Sequence, residues 1–121
     1  MLGYKEREVK LIALGIIEYA CATEAAGEVA NLMQDEDFQV RIDSVRLLAK
    51  LGAVKYVKEL AEFLTDEDWR FRFAAVRALS DLNAVEYLDR IKKLTEDTNS
   101  DVKTAAINAI GKLTKSNDSK H

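Results

Sequence analysis

The chain of 121 residues is the size of one domain, and with 48% hydrophobic and 32% charged residues, no proline and five glycines it has the composition of a soluble globular protein rich in long helices. A formal net charge of −3 argues against a surface that attracts phosphate backbone as a whole, although a local basic patch remains compatible with it. Charges interrupt every apolar run well short of the roughly 20 residues of a membrane span, no charged-then-apolar leader opens the chain, and the single cysteine, Cys21, allows no internal disulfide, so a cytoplasmic location is expected.

From Tyr4 to Ala20 the apolar positions Val9, Ala13, Leu14, Ile17 and Ala20 recur at spacings of three and four, which predicts an amphipathic helix with these residues inward. A second helix is predicted over Thr23 to Met33, with Ala26, Val29, Leu32 and Met33 facing in. It ends at the acidic cluster Asp35-Glu36-Asp37, which is suited to capping a third helix from Phe38 to Leu51. Gly52 then stands where a left-handed stop residue belongs, and Asn83 and Cys21 occupy the corresponding slots of the neighbouring segments. Shorter helices are predicted over Val54 to Leu64 and Val85 to Leu94, and longer ones over Trp69 to Leu82 and Ser100 to Leu113. The remaining residues, 115–121, are apolar-free and are expected to form a disordered polar tail.

The segment Asp66 to Leu79 recurs thirty-one residues earlier, from Asp35 to Leu48, and thirty-one later, from Asp97 to Ile110, without a gap. Val9, Val40, Phe71 and Val102 share a column, as do Leu14, Val45, Val76 and Ile107. Ala13, Ser44, Ala75 and Ala106 form a column of small residues beside the large Ile17, Leu48, Leu79 and Ile110. A two-helix unit of this length cannot bury both of its apolar sides alone, so neighbouring units are expected to stack into an extended core, with the small column permitting close approach. The domain organisation is therefore one domain over residues 1–114, made of an orphan helix at about 4–20 and helix pairs at about 23–51, 54–82 and 85–113.

An acidic turn followed by Val-Arg, then small residues and leucine at helical spacing, resembles the HEAT repeat. The thirty-one-residue period is similar to the HEAT-like repeats named after phycobilisome lyases. The resemblance implies an all-α fold, a right-handed α-solenoid of antiparallel helix pairs in which the second helices line a concave face. It also implies a ladder in which the turn aspartate pairs with the basic residue six positions on: Asp35 with Arg41, Asp66 with Arg72, and Asp97 with Lys103. The last of these departs from the pattern, because lysine lacks the planar fork of arginine.

Chemistry of its own is not expected. The only histidine is His121, in the tail, so Cys21 has no ordered histidine to activate it. The spacings Asp35/Asp37, Asp66/Asp68 and Asp97/Asn99 resemble the start of a calcium loop, but the glycine at its sixth position and the glutamate at its twelfth are missing. Helix capping accounts for them instead. No catalytic residue, metal ligand or cofactor is assigned. Trp69, which shares a column with Phe38 and Ser100 just after an acidic turn, is expected to pack beneath the helix start as a hydrophobic staple.

On the second helices a basic strip of Arg46, Lys50, Arg70, Arg77 and Lys112 is the candidate partner-binding surface, in slots expected to face outward together with Asp43, Ala74, Asp81 and Ala105. The slots that are polar in later repeats hold Ile12, Gly15 and Tyr19 in the first helix, with Ile16 beside them. This predicts either association with a second copy or a missing upstream repeat, since terminal repeats present a polar outer face. The expected function is a non-catalytic scaffold that binds another protein through an acidic segment. An accessory subunit of a bilin lyase-like or other enzyme, and nucleic-acid binding through the basic strip, are the alternatives, the latter disfavoured by the acidic charge.

Overall fold

A computed structural model describes residues 2–118, with side chains from 6 to 115. Among these residues the structure is all helical, with no strand. The chain divides into two compact units, Met1–Ala53 and Val54–His121.

The first unit holds α1 (Leu2–Ala20), α2 (Ala26–Asn31) and α3 (Phe38–Lys50). The second holds α4 (Val57–Ala61), α5 (Trp69–Asp81), α6 (Leu88–Lys93) and α7 (Ser100–Asp118). Each short helix, which the periodicity predicts as one uninterrupted element, is a brief α segment between two 3₁₀ turns. Those turns are Thr23–Ala25 and Leu32–Gln34 around α2, Val54–Tyr56 and Glu62–Thr65 around α4, and Val85–Tyr87 and Leu94–Glu96 around α6. Helix α7 continues to Asp118 through residues the sequence assigns to a polar tail. The rest of that tail, including His121, lies outside the described residues.

The acidic turns start the long helices. Asp37 Oδ1 accepts the Val40 N–H at 3.0 Å, Asp68 Oδ1 the Arg70 N–H at 2.9 Å, and Asn99 Oδ1 the Asp101 and Val102 N–H groups at 2.8 and 3.1 Å. Each satisfies backbone donors that have no partner within the helix. The first residue of each cluster braces the cap: Asp35, Asp66 and Asp97 accept the N–H of Asp37, Asp68 and Asn99 at 3.0, 2.8 and 2.9 Å. The helices stop on left-handed backbone, with φ of 50° at Cys21, 67° at Gly52 and 57° at Asn83. Just beyond these residues the Ala22, Ala53 and Ala84 N–H groups reach back to the carbonyls of Ile17, Leu48 and Leu79 at 2.9–3.1 Å, closing the last helical turn.

In the first unit Leu14, Val29, Met33, Val40, Leu47 and Leu48 are buried. In the second the core is Leu60, Leu64, Phe71, Val76, Leu79, Ile91, Val102 and Leu113, with Phe63 stacked on Phe71 at 5.3 Å between ring centroids. Two expectations are corrected. Val9, Ala13 and Ala20 face solvent instead of a core: Val40, Phe71 and Val102, in the column of Val9, belong to long helices preceded by a short one, and no short helix precedes α1 among the described residues. Ala74 and Ala105, expected in outward slots, are 6% and 8% exposed, because a methyl group is short enough for neighbouring backbone to close over it.

Candidate interaction grooves and the charge ladder

Between α1 and α3 of the first unit lies a groove of about 120 Å³, lined by Leu11, Leu14, Gly15 and Glu18 on one side and Asp43, Arg46, Leu47 and Lys50 on the other. Its charges are matched internally. Arg46 Nη1 is 3.5 Å from Asp43 Oδ1, and Lys50 pairs with Glu18, whose carboxyl it holds below the usual carboxylate range.

Between α5 and α7 of the second unit a wider groove of about 460 Å³ is lined by Phe73, Arg77, Ser80 and Asp81 from α5 and by Asp101, Thr104, Ala105, Asn108, Ala109 and Lys112 from α7. Lys112 approaches Asp81 at 3.6 Å. Arg77 is different: it forms no ion pair among the described residues, and its guanidinium lies over the Phe73 ring, 5.6 Å from the centroid. Trp69 meets the same ring edge-on at 6.3 Å. The three side chains stand four residues apart on α5, the spacing that brings helical side chains into contact. An arginine held flat on an aromatic face keeps its N–H fork available for a carboxylate.

Of the sequence-predicted basic strip, Arg46 and Lys50 thus line the first groove, and Arg77 and Lys112 the second. Arg70 lines neither. Its guanidinium folds back on the α5 cap, with Nε 3.0 Å from Asp68 Oδ1 and Nη2 2.8 Å from Oδ2, and this contact lowers the Asp68 pKa and raises that of Arg70.

The ladder exists in a different register from the one predicted. Arg72 binds Asp97 through two bonds, Nε to Oδ2 at 2.8 Å and Nη2 to Oδ1 at 3.0 Å. Lys10 binds Asp35 at 2.5 Å. Each rung therefore reaches twenty-five residues forward to the following turn, not six residues back to its own. Toward its own turn Arg72 reaches only backbone, donating from Nη1 to the Asp66 and Glu67 carbonyls at 2.8 and 3.1 Å. Asp66 and Arg72 are thus no side-chain pair, and Asp97 takes Arg72 in place of Lys103, which is exposed. Asp35 takes Lys10, while the charge of Arg41 acts on it only as a smaller influence. These contacts lower the pKa of Asp35 and Asp97, first through the Lys10 and Arg72 bonds, and raise that of Lys10 through Asp35. A further ion pair, Arg7 Nε to Asp37 Oδ2 at 2.8 Å, joins α1 to the α3 cap.

A family model for HEAT repeats matches residues 5–80 and, in a second placement, 27–111, which together take in both units. The chain belongs to the HEAT-repeat family. No curated protein matches it. In this HEAT-repeat protein the described residues contain no cluster of three histidine, cysteine, aspartate or glutamate side chains placed to hold a metal ion. Among them no helix is long and apolar enough to cross a membrane. Cys21 is exposed at the α1 stop.

Sequence reasoning missed Phe73 and the burial of Ala105 and Ala109 against α5. The four-residue spacing of Trp69, Phe73 and Arg77 carried the signal for the first. Their placement beside a groove depended on α7, which periodicity alone does not position.

Proposed function

We propose that this HEAT-repeat protein is a non-catalytic protein-binding scaffold, a right-handed array of thirty-one-residue repeats whose long helices take an acidic segment of a partner protein. The observation that supports this reading most directly is Arg77, an exposed guanidinium pre-positioned on Phe73 beside a groove of about 460 Å³ and without a carboxylate of its own. A partner carboxylate would gain two charge-assisted bonds there at little ordering cost, because the aromatic ring already restricts the side chain. Asp81 and Asp101 on the same groove oppose a regular polyanion and suit a segment of mixed charge. The HEAT-repeat family is commonly used for protein interaction, which agrees with this reading.

Fluorescence anisotropy with labelled acidic, neutral and basic peptides and a single-stranded oligonucleotide tests it. Acidic peptides should bind best, and Arg77→Glu should weaken them by at least about tenfold while leaving the melting temperature nearly unchanged. Preferential binding of the oligonucleotide with a steep salt dependence would transfer the site to nucleic acid. Equal binding by Arg77→Glu and the wild type would leave the α5–α7 groove without the proposed role.

A further inference from the structure

Long helices stack in one register in both units. Toward α1, α3 turns Asp43, Arg46, Leu47 and Lys50; toward α5, α7 turns Ala105, Asn108, Ala109 and Lys112, which occupy the same four columns of the repeat. In α1 these columns hold Ile12, Gly15, Ile16 and Tyr19. Leu47 and Ala109 are 3% and 2% exposed, whereas Ile16 in their column is 62% exposed, Ile12 63% and Tyr19 93%. With Val9, also exposed, they form a continuous apolar stripe on α1 on the order of 500 Å², the size of patch that marks interaction surfaces on soluble proteins.

The far side of α7 shows the reciprocal vacancy. Leu14 lines the α1 side of the first groove, and it and Val76 are buried, but Ile107, in the same column, is 59% exposed. Four residues on stands Gly111, where a side chain would meet no atom within 4 Å. Inside the second unit the large Phe73 lines the groove opposite the small Ala105 and Ala109; at the exposed faces the small Gly111 of α7 leaves room for the large Ile12 and Ile16 of α1. Lys10 and Arg72 each bind a carboxylate on the following turn, while Lys103, the last of the four basic residues in the column of Lys10, Arg41 and Arg72, forms no ion pair among the described residues.

We propose that the outer face of α7 in one molecule docks on the outer face of α1 in a second copy, continuing the register of the internal helix stacks. The contact is heterologous: its two faces differ, so each added copy leaves one of each kind open, and association proceeds beyond the dimer. This inference does not depend on the peptide-binding groove and fails or stands separately from it.

Sedimentation velocity of the 121-residue chain from low-micromolar to near-millimolar concentration reads the association directly. Wild type should give a concentration-dependent series of species larger than a dimer. Ile16→Lys and Ile107→Lys, both at exposed positions and checked for unchanged helical signal, should each abolish the series, shifting association by at least about tenfold. An equimolar mixture of the two should form a dimer and nothing larger, because each variant retains one intact face. Tyr19→Glu provides a second disruption of the α1 face should Ile16→Lys alter folding. Undiminished dimerisation of Ile107→Lys would mean that two α1 faces pair with each other, and a strictly monomeric wild type would mean that neither face binds a second copy; either result overturns the proposal.

Discussion

Replacing Asp97 with alanine removes three hydrogen bonds at once: those from Arg72 Nε and Nη2 at 2.8 and 3.0 Å, and that from the Asn99 N–H at 2.9 Å. The Arg72 and Asp97 side chains are only 15% and 7% exposed, so water does not freely replace the lost carboxylate. The guanidinium keeps its bonds to the Asp66 and Glu67 carbonyls, which holds the loss below that of a fully stranded buried charge. A destabilisation of about 2–3 kcal/mol is expected. Asp66→Ala removes one bond, from the Asp68 N–H, and should cost about 1 kcal/mol, as a lost cap does. This order is the reverse of the one that pairing within a single turn predicts. Urea denaturation at neutral pH measures both variants, and an Asp66→Ala loss equal to or above that of Asp97→Ala would refute the cross-turn rung as the stabilising contact. The pH dependence supplies a second check. Arg72 holds the Asp97 carboxyl below its ordinary value in the folded state, so the contribution is complete above the unfolded pKa of about 3.9 and is lost as pH falls through the lower folded value. The stability gap between wild type and Asp97→Ala should be level at neutral pH and close only in strong acid.

Cys21 and Gly52 hold equivalent left-handed stops, at φ of 50° and 67°, so Cys21→Gly should stabilise the protein by roughly 0.5–1 kcal/mol, and Gly52→Ala should cost about 1 kcal/mol with no steric clash to add to it; thermal melts showing the opposite signs would remove backbone strain as the cause. Leu79 is fully buried in the second unit, and Leu79→Ala should lower the stability measured in urea by about 2–5 kcal/mol, a loss under 1 kcal/mol indicating that the site collapses around the missing methyl groups.

The helices, their caps and their stops were legible because each depends on residues close in sequence. Asp37, Asp68 and Asn99 cap the helix that immediately follows them, and the left-handed φ of Gly52 and Asn83 reflects the two residue types that adopt it most readily. The columns also separated large from small side chains. They could not say which neighbour a long side chain reaches: Arg72 stands six residues after Asp66 and twenty-five before Asp97, and only the three-dimensional path of the chain selects the second carboxylate. The same limit explains Val9, which shares its column with three buried residues yet has no covering element among the described residues. It also explains Arg70, whose side chain looked available in the strip but had a nearer acceptor in Asp68.

Within each unit the construction of the short helices sets a pliant side against a stiff one. Isolated helices shorter than roughly a dozen residues are marginal in water, and α2, α4 and α6 have six, five and six residues of α-helix, so each persists only while packed against a long neighbour. Their backbone amides should open by local unfolding well before those of α3 or α5 do. A ligand on the long-helix side therefore meets a surface whose shape is set in advance, whereas one that engaged the short helices would have to select among conformations and bear the entropy of doing so.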